Sequence, residues 1–270
     1  MESYISIKNV SYSYYGKEQA LCNVNLDIRK GDLLCIIGQN GSGKSTLLHV
    51  INALIFPDSG TFEFCGKAIT EKYLKDANNN LNFRMQFGYI FQNPDIQLFC
   101  PSVIDELLFA PLQLQLSREE AEKRAHDTMK YIGIEHLKER SVLSLSGGEK
   151  KKVAIASILT MNPEVILIDE PLAGLDPKTQ TFFTEMIIEL HRIGKTIVFT
   201  THNLELIDHL QPKVAVISEQ HSVIKVGTTT EILNDEELLK NVNLLHEHTH
   251  IHGNEVHRHY HSHYVFHKHE

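Results

Sequence analysis

The sequence has no tryptophan, four cysteines in 270 residues and no long apolar run. The cysteines lack the paired spacing of a zinc site, so we expect small core residues in a reducing compartment. The longest apolar runs, such as residues 33–37, have strand length, whereas a membrane-spanning helix needs about 18 residues or more. No basic region followed by an apolar stretch opens the chain, so we expect no secretory signal. The sequence thus predicts a globular protein outside the bilayer. The cysteines are Cys22, Cys35, Cys65 and Cys100.

Negative charge exceeds positive charge, and histidine is abundant. The chain has 34 Asp and Glu against 26 Lys and Arg, a formal net charge of −8. Such a chain has little long-range attraction for nucleic acid, so we expect no nucleic-acid partner. Of its 17 histidines, ten fall within residues 246–270. We therefore predict one large domain over residues 1–240 and a histidine-rich tail over residues 241–270.

Strand-like and helix-like segments alternate along the large domain. Residues 4–7 and 24–28 alternate in the manner of an antiparallel sheet. Residues 33–37 and 165–168 are continuously apolar, which is typical of strands buried on both faces. This order predicts an α/β fold with a mainly parallel, helix-flanked sheet and an antiparallel β subdomain.

A helical insert interrupts this pattern between about residues 95 and 160. The patterns Ser102-x-x-Asp105 and Ser117-x-x-Glu120 each predict a capped helix start. Just upstream, the asparagine run at residues 78–80 predicts a loop.

A glycine-rich loop follows the apolar strand at residues 33–37 and precedes a predicted helix. It fits the pattern G-x-x-x-x-G-K-S, in which backbone amides and a helix N-terminus wrap phosphate groups. Lys44 is expected to reach the β- and γ-phosphates, Ser45 to hold Mg²⁺ and Thr46 to contact the α-phosphate. The sequence therefore predicts bound ATP and Mg²⁺. The loop consists of Gly38, Gln39, Asn40, Gly41, Ser42, Gly43, Lys44 and Ser45.

Polar residues follow two of the predicted buried strands. Asp169 and Glu170 come directly after residues 165–168, at the end where α/β sheets place ligands. Asp169 suits Mg²⁺, and Glu170 is placed to polarise an attacking water. His202 follows another strand and is a candidate partner for the γ-phosphate. The alternative for Asp169 and Glu170 is an acidic strand end without a functional role. The alternative for His202 is a purely structural role.

The interval from Gly38 to Leu145 spans 108 residues and ends at a second turn that can face a phosphate, where residues 145–149 read Leu-Ser-Gly-Gly-Glu. Ser146 and Glu149 form a capping-box pattern, so this turn opens a helix whose amides can face a phosphate.

Together these motifs resemble the nucleotide-binding subunit of ATP-binding cassette (ABC) transporters, over residues 1 to about 240. The resemblance implies a P-loop (RecA-like) core with a helical signature subdomain. It makes residues 145–149 the signature, residues 173–176 the D-loop, Gln92 the glutamine-loop residue and His202 the switch histidine. Tyr14 matches the aromatic that stacks on adenine, with Tyr15 as its rival.

The same resemblance assigns roles to the site. Glu170, His202 and Gln92 would be catalytic, and Ser45, Gln92 and Asp169 would hold Mg²⁺. Nucleotide would also contact the signature and the D-loop of a second ABC ATPase chain, identical or not, because each chain carries one loop and one signature. The residues expected to contribute from that side are Ser146, Gly147, Gly148 and Asp176.

The segment at residues 91–99 resembles energy-coupling-factor (ECF) ATPases, which drive vitamin and transition-metal uptake. Gln97 matches their second glutamine, and Asp105 and Glu106 fall in the following helix, whereas Ile96 replaces a common aspartate. The resemblance implies a transmembrane coupling subunit, a substrate-binding membrane subunit and a place on the cytoplasmic face of the membrane. Cobalt or nickel uptake is the expected function; the alternatives are vitamin uptake and a soluble ABC ATPase outside transport.

The tail alternates histidine with other residues in two runs. Imidazole is a ligand for Ni²⁺, Co²⁺, Cu²⁺ and Zn²⁺, so the tail is a candidate transition-metal site; the alternative is a disordered polar segment. The candidate ligands are His246, His248, His250, His252, His257, His259, His261 and His263.

Overall fold

The computed structural model describes residues 3–252 and 255–262, with side chains described for residues 3–245. The chain forms two compact units. The first unit joins Met1–Ala68 to Thr200–Glu270, and the second is Ile69–Phe199.

The described residues contain twelve strands. In chain order they are β1 (Ile5–Tyr14), β2 (Glu18–Ile28), β3 (Leu33–Ile37), β4 (Ser59–Phe64), β5 (Lys67–Ala68), β6 (Phe87–Ile90), β7 (Val165–Asp169), β8 (Thr196–Thr200), β9 (Lys213–Ile217), β10 (Val223–Thr228), β11 (Leu245–His252) and β12 (Glu255–Ser262).

The same residues contain ten α-helices. They are α1 (Lys44–Ile51), α2 (Glu71–Leu74), α3 (Ala77–Gln86), α4 (Val103–Gln113), α5 (Arg118–Ile132), α6 (Gly147–Leu159), α7 (Pro177–Arg192), α8 (Leu204–Leu210), α9 (Thr229–Leu233) and α10 (Glu236–Asn241). Within the described ranges, no helix combines the length and the apolar character needed to cross a bilayer.

The first unit holds the predicted antiparallel sheet, in the order β2-β1-β4-β5. Strand β3 is buried at all five positions and pairs in parallel with β9, which pairs antiparallel with β10. A continuous apolar run thus forms a strand covered on both faces, as predicted. Helix α1 begins at Lys44, so the last two residues of the glycine-rich loop form the start of the helix. Strand β3 precedes the loop, and β3 and α1 therefore fix its two ends.

The second unit pairs β6 in parallel with β7 and contains the helices of the predicted insert. Ser102 and Ser117 cap α4 and α5 through their side chains, as their sequence patterns predict. The hydroxyl of each accepts a hydrogen bond from a backbone N–H in the first turn, which satisfies a group that the helix leaves unpaired.

Two local predictions were wrong. Residues 78–80 lie in α3 rather than in a loop, because Asp76 caps the helix and Phe83 is buried against Phe87, 4.4 Å between ring centroids. Of the four cysteines, only Cys35 is buried, and Cys65 is exposed.

The tail begins beside the large domain. Val242 and Leu244 are buried beyond the end of α10, and β11 then pairs antiparallel with β12. This hairpin lies in residues 241–270, for which the sequence predicts a disordered or metal-binding tail. The division of the chain at residue 240 stays a prediction.

Candidate functional site

The glycine-rich loop is shaped by close backbone approaches within the first unit. A Cβ atom at Gly38 would lie 2.4 Å from the carbonyl oxygen of Ile217, and one at Gly43 would lie 2.1 Å from that of Ala20. Gly43 also has a φ of 105°, a conformation that L side chains rarely adopt. The packing of this chain therefore requires glycine at both positions.

Two polar side chains inside the loop fit a phosphate. Lys44 is 7% exposed, and its Nζ donates to the carbonyl oxygens of Gly38 at 2.8 Å and Gln39 at 2.9 Å. The buried Ser42 Oγ has no hydrogen-bond partner within the described part of the chain. A buried hydroxyl without a partner is costly, so its donor suits a ligand oxygen at this point.

The remaining nucleotide candidates of this unit surround the start of α1. Ser45 and Thr46 lie in its first turn, and the Thr46 Oγ1 shares a hydrogen bond with the Tyr14 hydroxyl at 3.3 Å. The Tyr14 ring meets Tyr12 edge to face, whereas Tyr15 is 93% exposed. Tyr14 therefore lies beside the phosphate loop, and the choice between Tyr14 and Tyr15 as the adenine partner stays a prediction.

Two residues from the C-terminal part of the chain form hydrogen bonds with the loop, and sequence reasoning identified neither. The His221 Nδ1 donates to the carbonyl oxygen of Ser42 at 3.1 Å. The Asn243 Nδ2 donates to the Gln39 Oε1 at 2.7 Å and to the Glu219 Oε1 at 2.9 Å. Neither residue belongs to a motif, so no local pattern could have revealed these contacts.

His202 lies in the short link between β8 and α8. The preceding Thr201 donates its N–H to the carbonyl oxygen of Ile36 in β3, at 3.3 Å. The following Asn203 caps α8 by accepting from the Leu206 N–H at 3.1 Å. The backbone is thus held on both sides of His202, next to the strand that leads into the phosphate loop.

In the second unit, the two predicted carboxylates end β7 and begin the next turn. Asp169 and Glu170 are both buried. Glu170 has a φ of 49°, a left-handed conformation that is uncommon for a non-glycine residue. Such conformations concentrate at functional sites, because the surrounding structure must hold them in place.

A buried lysine that sequence reasoning missed joins α6 to the glutamine-loop segment. The Lys151 Nζ donates to the carbonyl oxygens of Phe91 at 2.8 Å and Gln92 at 3.2 Å. Burial lowers the pKa of Lys151 to about 8, although the charges of Asp169 and Glu170 act to raise it. The sequence did carry a signal for this residue, since Lys151 lies on the buried face of an amphipathic helix, where lysine is rare.

Gln97 makes a second connection between the same two elements. Its Oε1 accepts from the Phe91 N–H at 3.2 Å, and its Nε2 donates to the carbonyl oxygen of Ala154 at 2.6 Å. The Gln92 side chain itself is exposed. The structure therefore fixes the backbone of the glutamine-loop segment on α6 and leaves the Gln92 side chain at the surface.

The signature turn opens α6 with the predicted capping box. The N–H of Ser146 donates to the Glu149 Oε2 at 2.8 Å, and its hydroxyl donates to the same oxygen at 2.7 Å. These bonds hold the pKa of the Glu149 carboxyl below its ordinary value. A Cβ atom at Gly147 would meet nothing within 4 Å, and one at Gly148 would meet only Thr179 and Asp176, at 3.6 Å or more.

Asp176 caps α7 next to this turn. Its carboxylate accepts from the Thr179 hydroxyl at 2.6 Å and from the Thr179 N–H at 3.1 Å. These bonds lower its pKa, and Pro177 occupies the first helical position. The D-loop residue is thus held as a helix cap.

The structure groups the predicted residues by unit. The phosphate loop, Tyr14 and His202 belong to the first unit, and Asp169, Glu170, Gln92, Asp176 and the signature belong to the second. Among residues with described side chains, no group of three His, Cys, Asp or Glu has the arrangement of a metal site. The tail candidates from His246 to His261 have described backbone only, and His263 lies outside the described residues.

A family comparison agrees with this arrangement of motifs. Residues 21–173, more than half of the chain, match the family model described as ABC transporter. This chain belongs to the ABC transporter family. It is an ATP-hydrolysing transporter subunit with the P-loop NTPase fold, as its motifs predict.

Individual relatives of this ABC ATPase span nearly its whole length. An ABC transporter ATP-binding protein of Methanosarcina acetivorans is 44% identical over 256 residues, 94% of this chain and 93% of the relative. The energy-coupling factor transporter ATP-binding protein EcfA of Methanococcus maripaludis is 40% identical and covers 89% of this chain and 84% of its own. The solved structure of cbiO1 from Clostridium perfringens, part of the ABC transporter complex cbiONQ, has a TM-score of 0.75 at 34% identity. It covers 90% of this chain and 96% of the solved chain.

Proposed function

We propose that this ABC ATPase is of the energy-coupling-factor type and powers the uptake of cobalt or nickel ions. The observation that carries the proposal is the segment from Phe91 to Phe99, which resembles ECF ATPases in sequence. Gln97 anchors it to α6, and the segment presents apolar side chains to solvent.

Those side chains form a surface suited to a protein partner. Ile96 and Phe99 are 67% and 65% exposed, and Phe109 and Leu112 of the following helix α4 are also exposed. Phe99 and Phe109 meet edge to face with ring centroids 4.8 Å apart. Exposed clusters of large apolar residues mark interaction sites, and the proposed partner at this one is a membrane subunit.

The relatives support the same type of assembly. One is named as an energy-coupling factor transporter ATP-binding protein, and the solved relative is part of an ABC transporter complex. We extend this to a transmembrane coupling subunit and a substrate-binding membrane subunit, with this chain at the cytoplasmic face. The histidine-rich tail supports a transition metal over a vitamin as substrate, since imidazole is a good ligand for Co²⁺ and Ni²⁺.

Each site residue then has a role in ATP hydrolysis. Lys44 and the loop amides would bind the β- and γ-phosphates. By the family resemblance, Ser45, Gln92 and Asp169 would hold Mg²⁺, which would supply neutralisation of the phosphate charge. Glu170 accepts a proton from the attacking water.

His202 orients the γ-phosphate. Ser146, Gly147 and Gly148 of a second chain contact the same nucleotide. Each ATP therefore bridges two chains, and hydrolysis weakens the bridge.

The test replaces Glu170 with Gln in the complex assembled with its membrane partners. ATP binding should persist, hydrolysis should slow several hundred-fold, about 4 kcal/mol in the barrier, and uptake of labelled Co²⁺ or Ni²⁺ should stop. Lys44→Ala should instead weaken ATP binding, since it removes the cation held inside the loop.

Glu185→Gln makes the same chemical change at an exposed position of α7 and should keep wild-type turnover. Near-normal hydrolysis by Glu170→Gln would remove its assigned role. Vitamin uptake without metal uptake by the wild-type complex would overturn the proposed substrate.

A further inference from the structure

The side chain of Lys151 is among the largest fully buried side chains in the described part of the chain, and the residue is 1% exposed. Lysine is rarely buried in this way, because taking an ammonium group out of water costs free energy unless the charge is paired or hydrogen-bonded. A methionine would fill the same space on helix α6 without that cost. The charge and the donors of Lys151 therefore call for a role beyond packing.

The two acceptors of Lys151 lie on either side of one Cα atom in the glutamine-loop segment. Its Nζ donates to the carbonyl oxygens of Phe91 at 2.8 Å and Gln92 at 3.2 Å. The first carbonyl belongs to the peptide group before the Gln92 Cα atom, and the second belongs to the peptide group after it. Because a peptide group is planar, holding its carbonyl oxygen restricts the orientation of the whole group. One ammonium group thus restricts the backbone on both sides of Gln92.

Two other contacts between α6 and this segment lie further along the chain. The Lys150 Nζ donates to the Asp95 Oδ1 at 2.6 Å, and the Gln97 Nε2 donates to a backbone carbonyl of α6 at 2.6 Å. These contacts attach the downstream part of the segment to the helix. Lys151 attaches the peptide groups beside Gln92 itself, so its contact has a different consequence.

Lys151 also lies within electrostatic reach of the two carboxylates at the end of β7. Asp169 and Glu170 are both buried, and their negative charges act to raise the pKa of Lys151 against the opposing effect of burial. Opposite charges attract more strongly where water is excluded. A neutral donor at this position would supply hydrogen bonds without this attraction, so the surroundings favour an ammonium group.

We propose that Lys151 is a positioning residue for ATP hydrolysis, which holds the two peptide groups beside Gln92 and thereby fixes the direction of the Gln92 side chain. This role rests on the proposed function, in which Gln92 would bind Mg²⁺ and contribute to hydrolysis. Lys151 itself contacts neither nucleotide nor metal ion and acts through Gln92. Its loss should therefore slow turnover and leave ATP binding by the phosphate loop intact.

The variant Lys151→Met tests this role, because methionine keeps the site filled and removes the charge and both hydrogen bonds. In the complex assembled with its membrane partners, kcat for Mg-ATP hydrolysis should fall by roughly tenfold, as expected for a misplaced catalytic group. The KM for ATP should stay within about twofold of wild type, since the phosphate loop keeps its own contacts. A fall in kcat of less than about twofold would overturn the proposal.

Lys150→Met is the matched control. It removes the neighbouring lysine of α6, which binds the same segment through the Asp95 side chain. Its kcat should stay within about twofold of wild type. Equal losses in the two lysine variants would contradict the proposal, because any attachment of the segment to α6 would then matter as much as the peptide groups beside Gln92.

A double-mutant cycle with Gln92→Ala shows whether Lys151 acts through Gln92. Once the Gln92 side chain is removed, Lys151→Met should change kcat by no more than about twofold. A further loss of about tenfold in that background would overturn the positioning role of Lys151 and leave the proposed role of Gln92 standing. Normal turnover by Gln92→Ala alone would overturn the role of Gln92 and, with it, that of Lys151.

Thermal unfolding midpoints establish whether the lysine variants retain the folded cassette. If Lys151→Met does not fold, Lys151→Gln takes its place in the cycle, because glutamine keeps the site polar but is shorter and uncharged. The same fall in kcat is expected, and wild-type kcat in this variant would overturn the proposal. Uptake of labelled Co²⁺ or Ni²⁺ is a separate measurement, and its absence in the wild-type complex would overturn only the proposed substrate.

Discussion

The phosphate loop and the signature turn both present glycines and amides at a helix N-terminus, but this chain builds them differently. Backbone carbonyl oxygens approach the phosphate loop closely at Gly38 and Gly43. The side chains of His221 and Asn243 also form hydrogen bonds with the loop. At the signature turn, Ser146 and Glu149 bond to one another, and the space around Gly147 is open.

This difference shows where each glycine is needed. At Gly43 the fold of the chain itself excludes a side chain. At Gly147 nothing within 4 Å in the described chain does so. We propose that glycine is needed there for a phosphate bound to a second cassette, since amides at a helix N-terminus can accommodate such a ligand.

The largest effect on folding should come from Gly43→Ala. The added Cβ would lie 2.1 Å from a backbone oxygen at a φ of 105°, so both overpacking and strain oppose it. We expect a loss of about 3 kcal/mol in the free energy of unfolding, measured by urea denaturation. Gly41→Ala is the matched control, since φ is also positive there but the space is open. It should cost only about 1 kcal/mol. Equal losses at the two positions would show that the close approach is unimportant.

The smallest effect on folding should come from Gly147→Ala. Alanine is a better helix former than glycine, so stability should stay within about 1 kcal/mol of wild type or rise slightly. ATP turnover should nevertheless fall by roughly tenfold or more, because the methyl group would obstruct phosphate contacts that stabilise the transition state. If the Gly147→Ala variant unfolds as readily as Gly43→Ala, or hydrolyses ATP normally, the proposed difference between the two turns is wrong.

Sequence reasoning worked where the determining interactions are local. The buried strand before Gly38, the capping box at Ser146, the helix cap at Ser102 and the proline at the start of α7 each depend on residues within one or two turns. These signals predicted the fold class and the elements that carry the candidate site.

Sequence reasoning failed where contacts between residues far apart in the chain determine the structure. Lys151 meets the carbonyl of Phe91 from 60 positions away, and Asn243 meets Gln39 from 204 positions away. The asparagine run before Phe83 is a separate case. Its composition favours a loop, whereas the nearby Asp76 cap and the burial of Phe83 favour the helix. Burial and long-range contacts of this kind are not encoded in a short window of sequence.

The central claim is that the ATP-binding site of one cassette is completed by the signature turn of a second cassette. Sedimentation of the Glu170→Gln variant with saturating Mg-ATP, together with its natural membrane companions, tests this most directly. We predict ATP-dependent pairing of two cassettes that is lost when Gly147→Ala is added to the same variant. Cassettes that stay unpaired at saturating nucleotide, or that pair equally well with both substitutions present, would contradict the account.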